Sequence, residues 1–418
     1  MNDTTVDCCA DPSQKLLSVE QGRQRILDAV PVIADHEQLH LRAALNRVLA
    51  EQVVSALDVP PFNNSAMDGY AIRHDDCTNT TPCTLDVTGE SFAGSPFVGQ
   101  MKSGQCIRIM TGAVMPDGAD TVMMQEHVKR DGDQIRFDAT GVKAGQNVRL
   151  AGEDTRSGQD VLEPGKILGP AELGLLASVG VGEIRVWRKL RVAFFSTGDE
   201  LTGLGSPLLP GQIYDSNRYA LFGLLRNAGV EIHDLGVIPD QRDAVRNAFR
   251  QAAAIADLIL TTGGVSVGEA DFVTETLEEL GEVNFWRMAM KPGKPLAFGE
   301  LGKAMFFGLP GNPVSAMVTF YQFVLPAIHK MSGAQARDPL LIEAFCENSL
   351  KKAVGRTEFQ RGILRCGADG KWLVSTTGLQ GSHVLSSMSR ANCFILLATD
   401  STGAVEGDTV QVQPFSDF

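Results

Sequence analysis

Positive charge is scarce in this sequence of 418 residues. The chain has 37 Lys and Arg against 50 Asp and Glu, which gives a formal net charge of −13. Because a broad nucleic-acid surface needs a basic footprint, this balance excludes nucleic acid as the expected partner. Anions can still bind locally, through backbone N–H groups and a few lysines.

Long apolar runs are also missing. The longest, residues 316–328, is interrupted by Tyr321, Gln322 and Pro326, and it is shorter than the roughly 20 residues that a membrane span needs. The first twenty residues lack the basic and then apolar pattern of a secretory signal. We therefore expect a cytoplasmic protein with no membrane partner.

The eight cysteines lack the spacing of a zinc or redox site. Cys8 and Cys9 are adjacent, and Cys77 and Cys83 are six residues apart. Neither pair has the spacing of the cysteines in zinc sites or redox motifs. Free thiols in a reducing compartment are the expected state. No Ser–His–Asp triad can be recognised either.

The length predicts about three domains, since single domains seldom exceed 250 residues. Residues 1–188 show short β-rich runs, with helices expected at 18–30, 39–49 and 170–178. We interpret this part as an elongated, mostly β region with one or two lobes. Residues 340–418 show only short strands and turns, which indicates a small β barrel.

Residues 189–333 alternate between strands and helices, which predicts a doubly wound, mainly parallel α/β domain. Ligands of such sheets bind at the carboxyl ends of the strands. The polar loops expected at that edge are 196–201, 239–243, 261–271 and 308–312.

The glycine-rich loop 261–271 directly follows an apolar strand. Glycines let the backbone approach a phosphate closely, and the N–H groups of the next helix point at it. Its candidate phosphate-binding residues are Gly263, Gly264, Ser266 and Gly268. Asp271 comes about one turn into that helix, where it could hold a cation beside the anion.

Two further segments at this edge are candidates for anion binding. Asn312 suits the N-cap and Pro313 the first turn of a helix with free N–H groups, although many helices begin this way. Lys291 and Lys294 lie on a rigid loop before a strand; alone they would equally describe a solvated turn, but their place beside two anion-binding turns favours phosphate contact.

Several carboxylates fall in the same loops. They are Asp199, Glu200, Asp240, Glu269 and Asp271. Mg²⁺ commonly takes one or two carboxylates together with phosphate oxygens of the substrate, so a metal-assisted phosphoanhydride site is one interpretation. Helix caps and salt-bridge partners are the other.

The chain resembles the molybdopterin molybdenumtransferase family, the MoeA type, which includes the C-terminal domain of gephyrin. The resemblance runs from about Ser18 to Phe415. It rests on five motifs in the same order, at residues 64–71, 195–201, 261–271, 291–295 and 308–315.

This resemblance implies a reaction in which adenylylated molybdopterin and molybdate give molybdenum cofactor and AMP, with Mg²⁺. It implies three active-site and metal-binding carboxylates, Glu200, Asp240 and Asp271, with Asp154 and Thr111 as supporting groups. The substrate-binding residues that it implies are Lys291, Lys294, Asn312, Ser315, Arg361, Ser382 and Asn63.

The resemblance also implies a homodimer in which Asn63, Thr111 and Asp154 act on the α/β domain of the other subunit. Contact with the molybdopterin adenylyltransferase and with apo-molybdoenzymes would fit the same role. This chain departs from the family at Asn63, where bacterial relatives carry Asp, and at Arg287, where a Lys is expected. An amide keeps the acceptor oxygen but loses the charge.

Two alternatives to this enzyme are considered. A molybdopterin adenylyltransferase would share the α/β pattern and the glycine loop, but such enzymes resemble residues 189–330 alone. A non-catalytic molybdopterin-binding scaffold would not need the loop carboxylates.

Overall fold

The computed structural model describes residues 16–77, 82–263, 272–336 and 338–416. The chain divides into two compact units. The smaller is Gln38–Val186, and the larger combines the N-terminal segment up to Glu37 with Trp187–Phe418. In the described ranges, no helix is both long and apolar enough to cross a membrane.

The first helix, α1 (Val19–Ala29), confirms the helix expected at 18–30. The Ser18 side chain accepts a hydrogen bond from the Gln21 N–H at 3.1 Å, and the Gln21 side chain accepts one from the Ser18 N–H at 3.2 Å. This reciprocal pair satisfies two N–H groups at the helix start. Val19 and Ile26 are buried in the core of the larger unit.

The elements between residues 36 and 187 are mostly short strands. In chain order they are β1 (His36–His40), β2 (Val53–Val54), β3 (Asn64–Ser65), β4 (Gly69–Ile72), β5 (Cys83–Ser91), β6 (Gln105–Ile109), β7 (Thr121–Met124), β8 (Val128–Asp131), β9 (Gln134–Phe137), β10 (Val148–Arg149), β11 (Asp160–Leu162), α2 (Pro170–Ser178) and β12 (Glu183–Trp187).

The smaller unit has two separate hydrophobic lobes. One is a six-stranded sheet in the order β7-β4-β6-β5-β9-β8. Successive residues of β4 alternate between its faces, with Tyr70 and Ile72 in one core and Ala71 in the other, as the strand period requires. The second lobe forms around α2, where Leu176 packs in a cluster with Leu49.

The prediction of a helix at 39–49 is wrong. The chain instead runs from β1 into a single 3₁₀ turn, Leu41–Ala44. Asn46 has a left-handed φ of 61°, and the N–H groups of Asn46 and Leu49 donate to the carbonyls of Leu168 and Lys166. A helix would need those groups for its own ladder, so pairing with distant segments prevents it.

The larger unit continues with alternating strands and helices. Its elements are β13 (Arg191–Thr197), β14 (Leu201–Thr202), β15 (Ile213–Tyr214), α3 (Ser216–Asn227), β16 (Glu231–Ile238), α4 (Arg242–Ile255), β17 (Leu258–Thr262), α5 (Phe272–Leu280), β18 (Glu282–Arg287), β19 (Met290–Lys291), β20 (Pro295–Leu301), β21 (Ala304–Leu309), α6 (Pro313–Thr319), α7 (Leu325–Met331), β22 (Ile342–Cys346), β23 (Leu350–Lys351), β24 (Thr357–Cys366), β25 (Trp372–Thr376), α8 (Leu385–Arg390), β26 (Cys393–Leu397), β27 (Gly403–Ala404) and β28 (Thr409–Pro414).

The expected doubly wound sheet is confirmed, in the order β16-β13-β17-β21-β20-β18. The four strands β16, β13, β17 and β21 are parallel, while β20 and β18 add an antiparallel edge. In β13, Val192 and Phe194 face the core under α1 and α3, and Ala193 and Phe195 face the core under α4 and α5. Both faces are therefore covered by helices.

The C-terminal barrel is confirmed as well. Strands β24, β25, β22, β28 and β26 pair in that order, and β24 also pairs with β26, which closes a ring of five strands. Strand β19 of the α/β region adds to this barrel in parallel with β24. The barrel and the α/β region therefore share backbone hydrogen bonds.

Candidate active site

The carboxyl ends of the parallel strands meet at one edge, as predicted. Thr197 at the end of β13 pairs with Ile238 of β16, and Thr262 at the end of β17 pairs with Leu309 of β21. Because these four ends are level, the loops that follow them open on the same side of the sheet.

Gly263 begins the glycine-rich loop and allows very close backbone packing. Its φ is +86°, and a Cβ there would lie 2.7 Å from the Thr197 carbonyl oxygen. A Cβ on Gly311 would lie 3.9 Å from the Gly263 Cα, so the loops after β17 and β21 are in contact. The remaining predicted residues of this loop, Gly264, Ser266, Gly268 and Asp271, and also Glu269, lie outside the described residues.

Asp199, Glu200 and Asp240 form what we call the acidic cluster. The Asp240 N–H donates to Asp199 Oδ1 at 3.3 Å. Burial, and after it the negative charges of Asp199 and Glu200, raise the pKa of the Asp240 carboxyl. Like charges held together in this way favour the binding of a cation or a proton.

The acidic cluster alone is not a complete metal site. Across the ranges that the structure describes, no group of three or more His, Cys, Asp or Glu side chains converges on a point that could hold a metal ion. The effect of Asp199 and Glu200 on the pKa of Asp240 indicates that these carboxylates are near one another. Binding one metal ion together would require a closer arrangement. The predicted Mg²⁺ set of Glu200, Asp240 and Asp271 therefore depends on Asp271, beyond the described residues.

The start of α3 adds two polar side chains that the sequence interpretation did not select. Asp215 is the N-cap and is buried; its Oδ1 accepts from the Arg218 N–H at 3.1 Å. Asn217 donates through Nδ2 to the Gly311 carbonyl at 2.7 Å. Asp215 Oδ2 and Asn217 Oδ1 are buried without a hydrogen-bond donor among the described residues. In the sequence, the signal for this pair was an acidic residue directly before a helix, close to two of the loop motifs.

The loop with Lys291 and Lys294 packs against α6 on the barrel side of the sheet. Gly293 has a φ of +101°, and a Cβ there would lie 2.8 Å from Thr319 Oγ1, so only glycine fits. The Lys291 Nζ lies 2.5 Å from Glu358 Oε1, a buried carboxylate of the barrel. Lys291 is therefore an ordered ion-pair partner and not a freely solvated turn residue.

The start of α6 touches the barrel. Asn312 occupies the predicted N-cap position, but its side chain makes no capping hydrogen bond. The N–H of Val314 donates to the Ser382 carbonyl at 3.1 Å, so the expectation of free N–H groups fails at this residue. Ser315 is buried in the same turn. The segment therefore brings Asn312, Ser315 and Ser382 together.

The segments described so far are in contact, since β19 pairs with β24, Gly293 packs on α6 and the start of α6 reaches Ser382. The candidate anion-binding residues on these segments are what we call the basic cluster: Lys291, Lys294, Ser315, Arg361 and Ser382.

Arg361 of β24 is the buried cation of this group. Its side chain is 1% exposed. Nε donates to Ser387 Oγ at 3.0 Å and Nη2 to the Gly381 carbonyl at 3.1 Å. No carboxylate of the described residues forms a salt bridge with it. Burial lowers the pKa of this guanidinium to about 10, and the charge of Glu358 opposes the shift.

The remaining predicted residues lie together in the smaller unit. Asn63 Oδ1 accepts from the Ala151 N–H at 2.8 Å. The N–H and the hydroxyl of Thr111 both donate to Asp68 Oδ1, at 2.8 and 2.7 Å. These bonds lower the pKa of the Asp68 carboxyl. Asp68 therefore orders Thr111, although it was only part of a motif in the sequence analysis.

Asp154 lies on the segment beside Asn63. The Asp154 N–H donates to the Val59 carbonyl at 3.0 Å, and the Gly152 N–H donates to the Pro60 carbonyl at 3.0 Å. Two antiparallel loop segments thus place Asn63 and Asp154 close to each other.

Comparison with known proteins covers nearly all of the chain. The MoeA N-terminal region (domain I and II) matches residues 17–180, a probable molybdopterin binding domain matches 193–330, and the MoeA C-terminal region (domain IV) matches 343–415. A molybdopterin molybdenumtransferase of Haemophilus influenzae is 47% identical over 402 residues, which is 96% of this chain and 99% of that protein. This chain belongs to the molybdopterin molybdenumtransferase family.

Other members of the family agree in sequence and in structure. The molybdopterin molybdenumtransferase of a Nostoc species is 37% identical over 96% of this chain and 94% of its own length. The crystal structure of the molybdopterin biosynthesis MoeA protein from Pyrococcus horikoshii has a TM-score of 0.83 and 32% identity, and covers 96% of this chain and 100% of that one. The resemblance seen in the five motifs is thereby confirmed for the whole chain.

Proposed function

We propose that this protein inserts molybdate into adenylylated molybdopterin in the cytoplasm, with Mg²⁺-dependent release of AMP, to give molybdenum cofactor. The observation that carries this proposal is the buried Arg361 guanidinium, whose hydrogen bonds go to Ser387 and to the Gly381 carbonyl and to no carboxylate of the described residues. Membership of the family supplies the identity of the substrates.

A buried guanidinium that forms no salt bridge favours the binding of a compensating anion. Isolated buried charges are strongly unfavourable unless they are paired and hydrogen-bonded. The planar guanidinium fork matches the oxygen geometry of oxyanions and is always protonated at neutral pH. Molybdate is a tetrahedral oxyanion with two negative charges, and in the proposal it binds beside Arg361, Ser382 and Ser315.

Asn312 follows Gly311, which packs beside Gly263 at the start of the glycine-rich loop, and Lys291 and Lys294 lie on the loop that packs against α6. In the proposal, the lysines neutralise the phosphates of adenylylated molybdopterin, while the loop with Gly263, Gly264, Ser266 and Gly268 approaches them through its backbone. Because molybdate exchanges onto dithiolene sulfurs of the ligand, the protein needs no cysteine nucleophile.

The acidic cluster fits Mg²⁺ in its chemistry, because that cation prefers carboxylate oxygens. Glu200, Asp240 and Asp271 would hold it. Bound there, Mg²⁺ would neutralise charge on the phosphate that leaves with AMP. Burial, and after it the charges of Asp199 and Glu200, raise the pKa of Asp240, which supports a cation as the partner of this cluster.

Family resemblance extends the proposal to assembly. We propose a homodimer in which Asn63, Thr111 and Asp154 of one subunit act in the site of the other. The molybdopterin adenylyltransferase and apo-molybdoenzymes are the proposed protein partners, because they would deliver the substrate and accept the product.

The test is a reconstituted reaction with adenylylated molybdopterin, molybdate and Mg²⁺, in which AMP and molybdenum cofactor are both measured. We expect one AMP for each cofactor formed, and no AMP when molybdate is omitted. Equal AMP release without molybdate, or with Asp271→Ala, would overturn the mechanism.

The same assay separates the alternatives. Consumption of ATP and unadenylylated molybdopterin would identify an adenylyltransferase instead. That alternative is weakened because relatives named molybdopterin molybdenumtransferase match both flanking regions of the chain. Tight binding of molybdopterin with no chemistry would identify a scaffold.

A further inference from the structure

Glu358 is a buried carboxylate with both oxygens occupied. Glu358 is 5% exposed. Oε1 lies 2.5 Å from the Lys291 Nζ, and Oε2 accepts from Gln360 Nε2 at 2.8 Å. The same Gln360 Nε2 also donates to the Lys351 carbonyl at 3.0 Å. These contacts fix the carboxylate in one orientation.

Backbone pairing between two strands places the two members of this ion pair side by side. Strands β19 and β24 pair in parallel, and Lys291 is the register partner of Glu358. The Thr357 N–H donates to the Ala289 carbonyl at 2.9 Å, which continues the pairing. Lys291 therefore faces Glu358 because β19 pairs with the start of β24.

The two members of the pair differ greatly in exposure. The Lys291 side chain is 55% exposed, whereas that of Glu358 is 7% exposed. A lysine so exposed would normally sample many rotamers, at a considerable entropy loss on ordering. Here the carboxylate is buried, and the ammonium group that it pairs with lies at the protein surface.

We infer that Glu358 is a positioning residue that holds the Lys291 ammonium group in the basic cluster before the substrate binds. The inference rests on the proposed function, in which Lys291 neutralises substrate phosphate. Glu358 does not itself contact substrate; it acts through Lys291. Ordering the ammonium group in advance removes that entropy loss from the reaction.

The first readout is the chemical reactivity of Lys291, measured by acetic anhydride labelling and peptide mass spectrometry. Glu358→Gln keeps the size and the acceptor for Gln360 but removes the charge. We expect labelling of Lys291 to rise severalfold in Glu358→Gln, relative to Lys371 in the same sample. Lys371 is a suitable reference because its side chain is 59% exposed and pairs with the exposed Asp369.

The second readout is a double-mutant cycle on AMP release with Lys291→Met. We expect Glu358→Gln to lower kcat/KM by about tenfold or more, and to have no further effect when Lys291 is already Met. Glu358→Asp should recover part of the activity. Glu347→Gln is the matched control, because Glu347 pairs with Arg365 of the same strand β24 away from the cluster.

The outcomes separate the two claims. Unchanged Lys291 labelling in Glu358→Gln, or an equal loss of activity with and without Lys291, would overturn the positioning role. If Glu358→Gln fails to fold, the labelling and activity of Glu358→Asp decide by the same criteria. Absence of AMP release by the wild-type protein would overturn the proposed function, and labelling would still show whether Glu358 holds Lys291.

Discussion

The acidic and basic clusters lie in the same unit but are built in opposite ways. Asp199 and Glu200 are exposed on a loop, and no salt bridge neutralises them among the described residues. Arg361 is buried on the outer face of β24, where it contacts Ser387 of α8, and Lys291 is fixed by a buried carboxylate. An exposed group of carboxylates suits an exchangeable, hydrated cation. A buried guanidinium and a fixed ammonium group suit an oxyanion of defined shape.

The largest effect is expected from Arg361→Met, which keeps the bulk of the side chain but removes the charge. We predict a loss of about 100-fold or more in kcat/KM for molybdate, as for removal of a preorganised oxyanion donor. Steady-state AMP release at varied molybdate measures it. Arg365→Met, an exposed position of the same strand, is the control; equal losses in both would show that Arg361 serves only the barrel.

Asp240→Asn should have the next largest effect, and it should act through Mg²⁺. We predict that activity at limiting Mg²⁺ falls by roughly 10- to 100-fold, because one of few oxygen ligands is weakened, and that excess Mg²⁺ restores part of it. Asp243→Asn is the control, since Asp243 is 90% exposed at the start of α4. A loss that no Mg²⁺ concentration relieves would contradict the assignment.

Asp199→Asn sharpens the electrostatic part of the comparison. The pKa of Asp240 is raised by burial and by Asp199 and Glu200, and only the ionised carboxylate binds Mg²⁺ well. Mg²⁺ affinity should therefore fall on acidification at a higher pH than for an ordinary carboxyl. Removing the Asp199 charge lowers the pKa of Asp240, so the midpoint should move to lower pH. Mg²⁺ titrations at several pH values test this; a midpoint that stays in place contradicts it.

The smallest effect is expected from Asn63→Asp. The Asn63 Oδ1 already serves as an acceptor for the Ala151 N–H, and a carboxylate oxygen supplies the same acceptor. We predict a change in kcat/KM of less than about twofold, within the range of ordinary surface substitutions, and an unchanged Mg²⁺ requirement. A lower Mg²⁺ requirement would instead make position 63 a member of the acidic cluster.

Local patterns were enough to predict the elements that carry the site. The helices at Val19–Ala29 and Pro170–Ser178, and the loops at the sheet edge, follow from periodicity, caps and glycines in the sequence. The helix expected at 39–49 failed because its backbone pairs with residues more than 100 positions away. Propensity cannot detect such tertiary pairing.

The contacts that define the basic cluster depend on the same kind of long-range pairing. The contact of Lys291 with Glu358 requires β19 to pair with β24, and Arg361 becomes a buried cation only when α8 and the loop at Gly381 pack on β24. The family resemblance named Arg361 and Ser382, but neither spacing nor periodicity pointed to Glu358, Asp215 or Asn217. Buried polar partners from distant segments are visible only in the folded chain.

The most direct test of the two-cluster account is one pair of titrations of AMP release, in which molybdate and Mg²⁺ are varied separately for Arg361→Met and Asp240→Asn. The account predicts that Arg361→Met raises only the molybdate concentration needed for half-maximal rate, and that Asp240→Asn raises only the Mg²⁺ concentration. If both variants raise both concentrations by the same factor, the clusters do not divide the oxyanion and the cation between them.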